Sequence, residues 1–280
     1  MSADPLPPAR TSRAADRRFL LGLALLGGSY VAIVAAMLLA DLCYTTPAHL
    51  AAALASPEIR YAARLSLVSA TITTLLALWV AVPLGYLLAR SRFRGHAIVD
   101  ALVDIPLVLP PLVIGLSLLI LFQLPVGGVT LEGLCRRWLG RPVTYAVPAV
   151  ILAQFTVVTA LAVRAMRVTF EQVNPRAEQV ALTLGCNRSQ AFWRVTLPEA
   201  RRGMITAATL VWARALGEFG PVLVFAGATR MRTEVLPTTV FLELSVGNVE
   251  AAVAISLLMV AVSLGVLLLV RAFGSRVLLG

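Results

Sequence analysis

The stretch EQVALTLGCNRSQAFWRVTLP, residues 178–198, breaks an otherwise apolar chain with two arginines, a glutamate, a glycine and a closing proline. Long runs of leucine, valine, alanine and isoleucine lie on both sides of it. The segment carries its own helix signals. Asn174 before Pro175 reads as an N-cap followed by proline at the first helical position. A helix over 175–184 then meets Gly185, a residue suited to the positive φ of a C′ position. Asn187 caps a second short helix, RSQAFWRVT, which Pro198 is expected to stop. Two short helices joined at a glycine form an elbow, with Val180, Ala181, Leu184, Phe192, Trp193 and Val195 as its apolar residues. Such an elbow either lies on a lipid surface or docks a partner.

The flanking sequence sets the frame. Apolar residues make up 59% of the chain and charged residues 14%, against roughly 25% charged in soluble domains. About 20 apolar residues at 1.5 Å rise cross a hydrocarbon core of about 30 Å. Six such spans are expected, over 19–40, 63–89, 98–122, 143–165, 204–226 and 250–273. The fold class is therefore an all-α integral membrane protein of six transmembrane helices, with the elbow between helices 4 and 5. The net charge of +10 is spread between apolar spans, which fits membrane topology and not nucleic-acid binding.

All 24 basic residues are arginine, and their distribution orients the chain. With both termini in the cytoplasm, sixteen arginines fall inside and seven outside, Arg214 lying within a span. The positive-inside rule selects that arrangement. It gives a cytoplasmic tail over residues 1–18, a membrane domain over 19–280 and a long cytoplasmic loop over 166–203 that holds the elbow. The first apolar run is too long for a signal-peptide core.

Three cysteines add little. Cys43 and Cys135 fall on the outer side, paired or free, and Cys186 on the inner side. No metal-ligand spacing occurs, and His49 and His96 sit in opposite-side loops. A nucleotide-binding P-loop requires a lysine at fixed spacing from glycines. The chain has no lysine at all, so it hydrolyses no ATP by this route. No residue pattern calls for a bound cofactor.

Two spans hold residues that apolar packing does not ask for. The third contains Pro106, Pro110 and Pro111, which free backbone carbonyls and kink a helix; either the kink is structural or the helix lines a pathway. The fifth holds Arg214 and Glu218, four residues apart on one face. They form a self-neutralising pair, or Arg214 also favours anions along a translocation path. Gly217 and Gly220 around them allow close helix approach across a dimer seam. A secondary transporter would leave the elbow unexplained, and no internal repeat supports one. An intramembrane enzyme lacks a nucleophile motif and any histidine within a span.

The spacing of the elbow resembles the EAA signature of permease subunits in bacterial ABC importers. Ala181, Gly185, Val195, Leu197 and Pro198 stand where that signature has its second alanine, its glycine and its closing Ile-x-Leu-Pro. Gln179 and Val180 depart from its opening Glu-Ala, and Glu178 lies one residue earlier. DIPLVLPPLVIGLSLL (104–119) and ARALGEFGPVLVFAG (213–227) resemble molybdate, tungstate and sulfate permeases. The resemblance implies an ATP-driven oxyanion importer, and the phenylalanine of RALGEFG points to molybdate over sulfate. It implies a prokaryotic inner-membrane location, a second permease copy, a separate ATPase and an external binding protein that delivers the anion. Glu178, Ala181, Leu184, Gly185, Phe192, Val195, Leu197 and Pro198 would then couple to the ATPase. Pro106, Pro110, Pro111, Arg214, Gly217 and Glu218 would border the pathway.

Overall fold

The computed structural model describes residues 13–276; the rest of the expected N-terminal tail and the last four residues lie outside the described residues. The chain divides into two compact units, residues 1–47 and 48–280. In the first, helix α1 (Arg13–Tyr44) contains the expected span 19–40. Its segment Arg17–Tyr44 has a mean hydropathy of 2.2 and no buried residue within the unit.

The second unit is helical apart from one small hairpin. Its first helices are α2 (Pro47–Ala55) and α3 (Pro57–Arg90). Ser56 caps α3 by accepting from the Ile59 amide, and Pro57 occupies the first turn, where no intrahelical donor is needed. Then come α4 (His96–Val108), α5 (Pro111–Gln123), the strands β1 (Pro125–Val126) and β2 (Val129–Thr130), and α6 (Leu131–Leu139). Gly127 and Gly128 take φ of 61° and 79° in the two-residue hairpin turn, a geometry that glycine supplies without strain. The remaining helices are α7 (Val147–Gln172), α8 (Pro175–Thr183), α9 (Arg188–Ala191), α10 (Leu197–Leu216), α11 (Gly220–Phe225), α12 (Leu236–Ser245) and α13 (Val249–Arg276).

Among the described residues, four helices are long and apolar enough to cross a membrane: α1, α3, α7 and α13. Two expected spans are broken. The span 98–122 becomes α4 and α5, bent by 114°. The cause lies in Pro110 and Pro111. A residue before proline is pushed out of the helical region, and Leu109 and Pro110 are extended, with ψ of 140° and 134°. Pro106, by contrast, sits inside α4. The span 204–226 ends early: α10 closes at Leu216, Gly217 to Phe219 leave the helix, and the short α11 follows. With the bent pair counted as one, five crossings pass on length and composition.

The scaffold for everything that follows is the pair α3 and α7. Thr73 meets Gln154, Gly85 meets Met166 and Arg90 meets Val173, so the two helices run parallel. Their seam is made of small residues: Ala70, Ala77 and Ala81 are fully buried in one cluster with Val158 and Ala162 of α7. A Cβ on Gly85 would come within 2.8 Å of the Met166 side chain, so this approach requires glycine. At this seam and beside it, buried Gln154 and Ser66 are satisfied within the bundle, as a membrane demands. Gln154 accepts from Thr73 (3.1 Å) and donates to the Ala215 carbonyl (3.1 Å), and Ser66 accepts from the Leu236 amide (2.8 Å). Helix α10 returns antiparallel along α7, with Gly203 against Thr169 at one end and Ala215 against Gln154 at the other.

Candidate functional site

The elbow forms at the end of α3 and α7 marked by Arg90 and Val173. Asn174 accepts from the Arg176 amide (3.0 Å) and starts α8. Gly185 adopts φ of +90°, and the Cys186 amide returns to the Ala181 carbonyl (3.0 Å), closing α8 as a glycine C′ should. Asn187 and Gln190 form a reciprocal capping box, at 2.8 and 3.0 Å. These local signals were readable in order.

Pro198 behaves otherwise than expected. It does not stop the second helix. Residues Phe192–Thr196 form a π-helical turn that leads directly into α10, with Pro198 in its first turn. The Leu197 amide reaches the Phe192 carbonyl five residues back. That wider turn accommodates a proline, which lacks the amide and crowds the carbonyl four residues before it. The elbow is thus continuous with α10 through unbroken helical backbone.

Its apolar residues divide between two faces. Ala181 is buried, and Phe192 turns inward to pack edge-on against Tyr86, with ring centroids 4.8 Å apart. Tyr86 also contacts Phe170 at 5.6 Å. Val195 and Leu197 are half-buried. Leu184, Trp193 and Val180 point outward, 81%, 63% and 56% exposed.

Glu178 holds the inward face. It accepts from the Tyr86 hydroxyl (2.5 Å) on α3 and from the Thr196 hydroxyl (3.2 Å) on the π turn. Arg90 lies 4.0 Å from the same carboxylate and donates to the Val173 carbonyl at 2.6 Å. One carboxylate therefore joins α3, α8 and the entry to α10. Beside it opens a cavity of about 660 Å³ lined by Pro83, Tyr86, Arg90, Glu178 and Phe192.

At the far end of α10, Arg214 donates to Glu218, which sits in the break after the helix. The pair is lopsided: Glu218 is 1% exposed and Arg214 41%. Next to the break, α11 packs on α5. A Cβ on Gly220 would lie 3.0 Å from Pro111, and one on Gly115 would lie 2.8 Å from the Pro221 Cα. The structure thus brings Pro111 and the GEFG segment together within one chain. Gly220 supplies this close approach, while Gly217 closes α10 and has no comparably close neighbour.

A further network was not anticipated. Asp104 pairs with Arg164, and Asp100 accepts from Arg167 at 2.6 Å, tying α4 to the same end of α7. Glu171 completes it at 2.9 Å from Arg167. Two acids four apart and two arginines three apart were the available signal. Cys43, Cys135 and Cys186 are free thiols. Among the described residues no cluster of His, Cys, Asp and Glu could hold a metal ion.

A polytopic helical bundle whose buried seam continues into a rigidly clamped two-helix elbow is the architecture of a membrane transport subunit. The chain belongs to the family of binding-protein-dependent transport system inner membrane components, which it matches over residues 81–279. It is an inner-membrane, multi-pass protein. It is 37% identical over 231 residues to a Haloferax volcanii protein named "Probable molybdenum ABC transporter permease protein", covering 82% of this chain and 81% of that one. It is 36% identical over 229 residues to the molybdenum transport system permease protein ModB of Mycobacterium tuberculosis, covering 82% and 84%. To the sulfate transport system permease protein CysT of Escherichia coli it is 32% identical over 224 residues, covering 79% and 78%. The fold matches a crystal structure of a bacterial ABC transporter that imports alginate, with a TM-score of 0.73 at 18% identity over 94% of this chain and 98% of that one.

Proposed function

We propose that this chain is the permease of an ATP-driven importer for an oxyanion, most specifically molybdate. Relatives named for molybdenum transport stand at 36–37% identity, above the sulfate permease at 32%. The bent pair α4–α5 and the helix α10 with α11 complete six crossings with α1, α3, α7 and α13. Both termini and the elbow face the cytoplasm, as the arginine distribution favours. The elbow docks into a separate ATPase, a second copy of the permease completes the pathway, and an external binding protein delivers the anion. No cofactor binds this chain.

The observation that carries the coupling role is the two-faced elbow. Its inner face is fixed to α3 by Glu178, while Leu184, Trp193 and Val180 present an apolar patch suited to a partner's cleft. A push on that patch travels in two directions: through Glu178 into α3, and through the π turn into α10. Helix α10 carries Arg214 in its last turn and leads into the break before α11, which packs on α5, so displacement of the elbow reaches the proposed gate as rigid-body motion. Arg214 borders the pathway there and attracts the anion, while Glu218 offsets part of its charge and prevents tight retention.

The test is uptake of radiolabelled molybdate into liposomes holding the permease and its ATPase, with ATP enclosed and the loaded binding protein on the binding-protein side. Uptake requires ATP, and unlabelled tungstate competes more strongly than sulfate. ATP-independent uptake, or transport of sulfate in preference, defeats the assignment.

A further inference from the structure

Opposite the elbow lies a second cavity, of about 320 Å³. Glu58 in its wall stands in the first turn of α3, while Arg90 ends that helix. The intervening residues place cavity and elbow about 48 Å apart along one axis. With the elbow toward the ATPase, as proposed above, this cavity faces the binding protein.

Its charge is unusual for an anion importer. Glu58, Glu234, Glu243 and Glu250 line it, and Arg230 is the one arginine among the lining residues. Glu243 is satisfied, accepting from Arg230 (2.8 Å) and from the Asn248 amide (2.9 Å). One oxygen of Glu58 accepts from Ser56 (2.6 Å), and one oxygen of Glu250 lies 3.1 Å from His49 Nε2. Glu234 is different. It is fully buried, and neither of its carboxylate oxygens has a hydrogen-bond donor. The neighbouring Thr239 hydroxyl is committed to the Val235 carbonyl at 3.0 Å. An unpaired buried carboxylate is costly and calls for a compensating charge.

The carboxylate surplus repels an oxyanion, so this is no resting place for the substrate. A bare metal ion fits poorly too, since the carboxylates do not converge at ligand distances. A forked guanidinium, with five donors spread over a plane, suits several separated carboxylates. We infer that the cavity receives a basic side chain, an arginine by best fit, from the external binding protein. Glu58 and Glu250 are placed to contact it, and the buried Glu234 adds a field that salt screens weakly.

Burial pushes the Glu234 carboxyl above its ordinary range, and an incoming cation opposes that shift. Docking therefore weakens as the medium is acidified and Glu234 takes up its proton.

The inference rests on the orientation proposed above, and the experiment separates the two. Permease and ATPase in nanodiscs are titrated with fluorescent, molybdate-loaded binding protein, after thermal unfolding has shown that Glu234→Gln and Glu250→Gln are folded. Glu234→Gln weakens docking by about tenfold, mostly through faster release. Glu250→Gln slows association a few-fold at low ionic strength and little at high. Wild-type docking by both variants overturns the inference. So does stabilisation of the permease by agmatine or calcium alone with docking unchanged, which would assign the cavity to a free cation. A single cysteine at position 248 reports orientation: labelling by an impermeant maleimide from the binding-protein side supports the proposal. Labelling only from the ATPase side overturns both this inference and the orientation beneath it.

Discussion

Tyr86 on α3 donates its hydroxyl to Glu178 on α8 across 2.5 Å, and through that bond a helix of the membrane bundle grips the elbow. The contact spans 92 residues of sequence. The carboxylate is only 15% exposed and joins three elements, so its contacts lie within the chain.

Tyr86→Phe removes the donor and leaves Thr196 and Arg90 as the partners of Glu178. A hydrogen bond to a charged group is worth about 1.5–3 kcal/mol. The variant inserts and retains its ATPase, but molybdate uptake falls several-fold while ATP hydrolysis loses its dependence on the loaded binding protein. Parallel measurement of uptake and hydrolysis checks this. Normal coupling in Tyr86→Phe would show that the clamp is dispensable.

Gly185 has φ of +90° and open space around its missing Cβ, so a substitution there meets backbone strain with no steric clash. Gly185→Val carries a cost of about 1–2 kcal/mol and displaces Leu184 and the second elbow helix. Gly185→Asn, which tolerates the left-handed region, is milder. Co-purification of the ATPase should therefore fall in the order glycine, asparagine, valine. Equal recovery across the three variants counts against a docking role for this turn.

Local chemistry made much of this legible in sequence. The apolar runs that became α3, α7 and α13 were long, and Asn174, Gly185 and Asn187 announce their caps through bonds within two to five residues. What escaped depends on long-range packing. Pro110 and Pro111 signal a kink, but the 114° bend accompanies α5 packing on α11, a contact between Gly115 and Pro221. Pro198 reads as a stop because proline usually is one. Here buried Thr196 and the inward Phe192 hold the chain in a π turn that avoids the clash. The Asp104–Arg164 pair lay unseen because its partners are 60 residues apart.

The buried carboxyl of Glu234 gives stability a pH dependence with a definite sign. Its pKa is raised by burial. A group raised in the folded state contributes stability that is fully present below its unfolded pKa, about 4.3, and lost as pH rises through the folded value. Raising the pH therefore works against the fold. Glu234→Gln removes the term, so its advantage in Tm over the wild type is larger at pH 8 than at pH 5. Thermal unfolding of the permease at both pH values, without binding protein, checks the sign; a variant less stable than wild type at pH 8 contradicts it.

The asymmetry of the Arg214–Glu218 pair allows a structural role to be told apart from the proposed role in transport. Glu218 is 1% exposed, whereas Arg214 is 41% exposed. Arg214→Ala strands a buried carboxylate, at a cost on the order of 3 kcal/mol. Glu218→Gln leaves an arginine that can still reach solvent or the pathway, and costs less. The double variant Arg214→Ala, Glu218→Gln removes both charges, so its stability recovers most of what the arginine change alone lost. Transport follows a different order. If the pair only holds the chain break in place, the double variant takes up molybdate at the wild-type rate once protein levels are matched. If Arg214 attracts the anion, the same variant folds normally and transports poorly. Glu218→Gln then retains the anion longer, because the arginine's field is no longer offset. Uptake in liposomes beside thermal unfolding reads both orders in one set of proteins. The expected result is restored stability with reduced uptake, and full uptake by the double variant would confine the pair to a structural role.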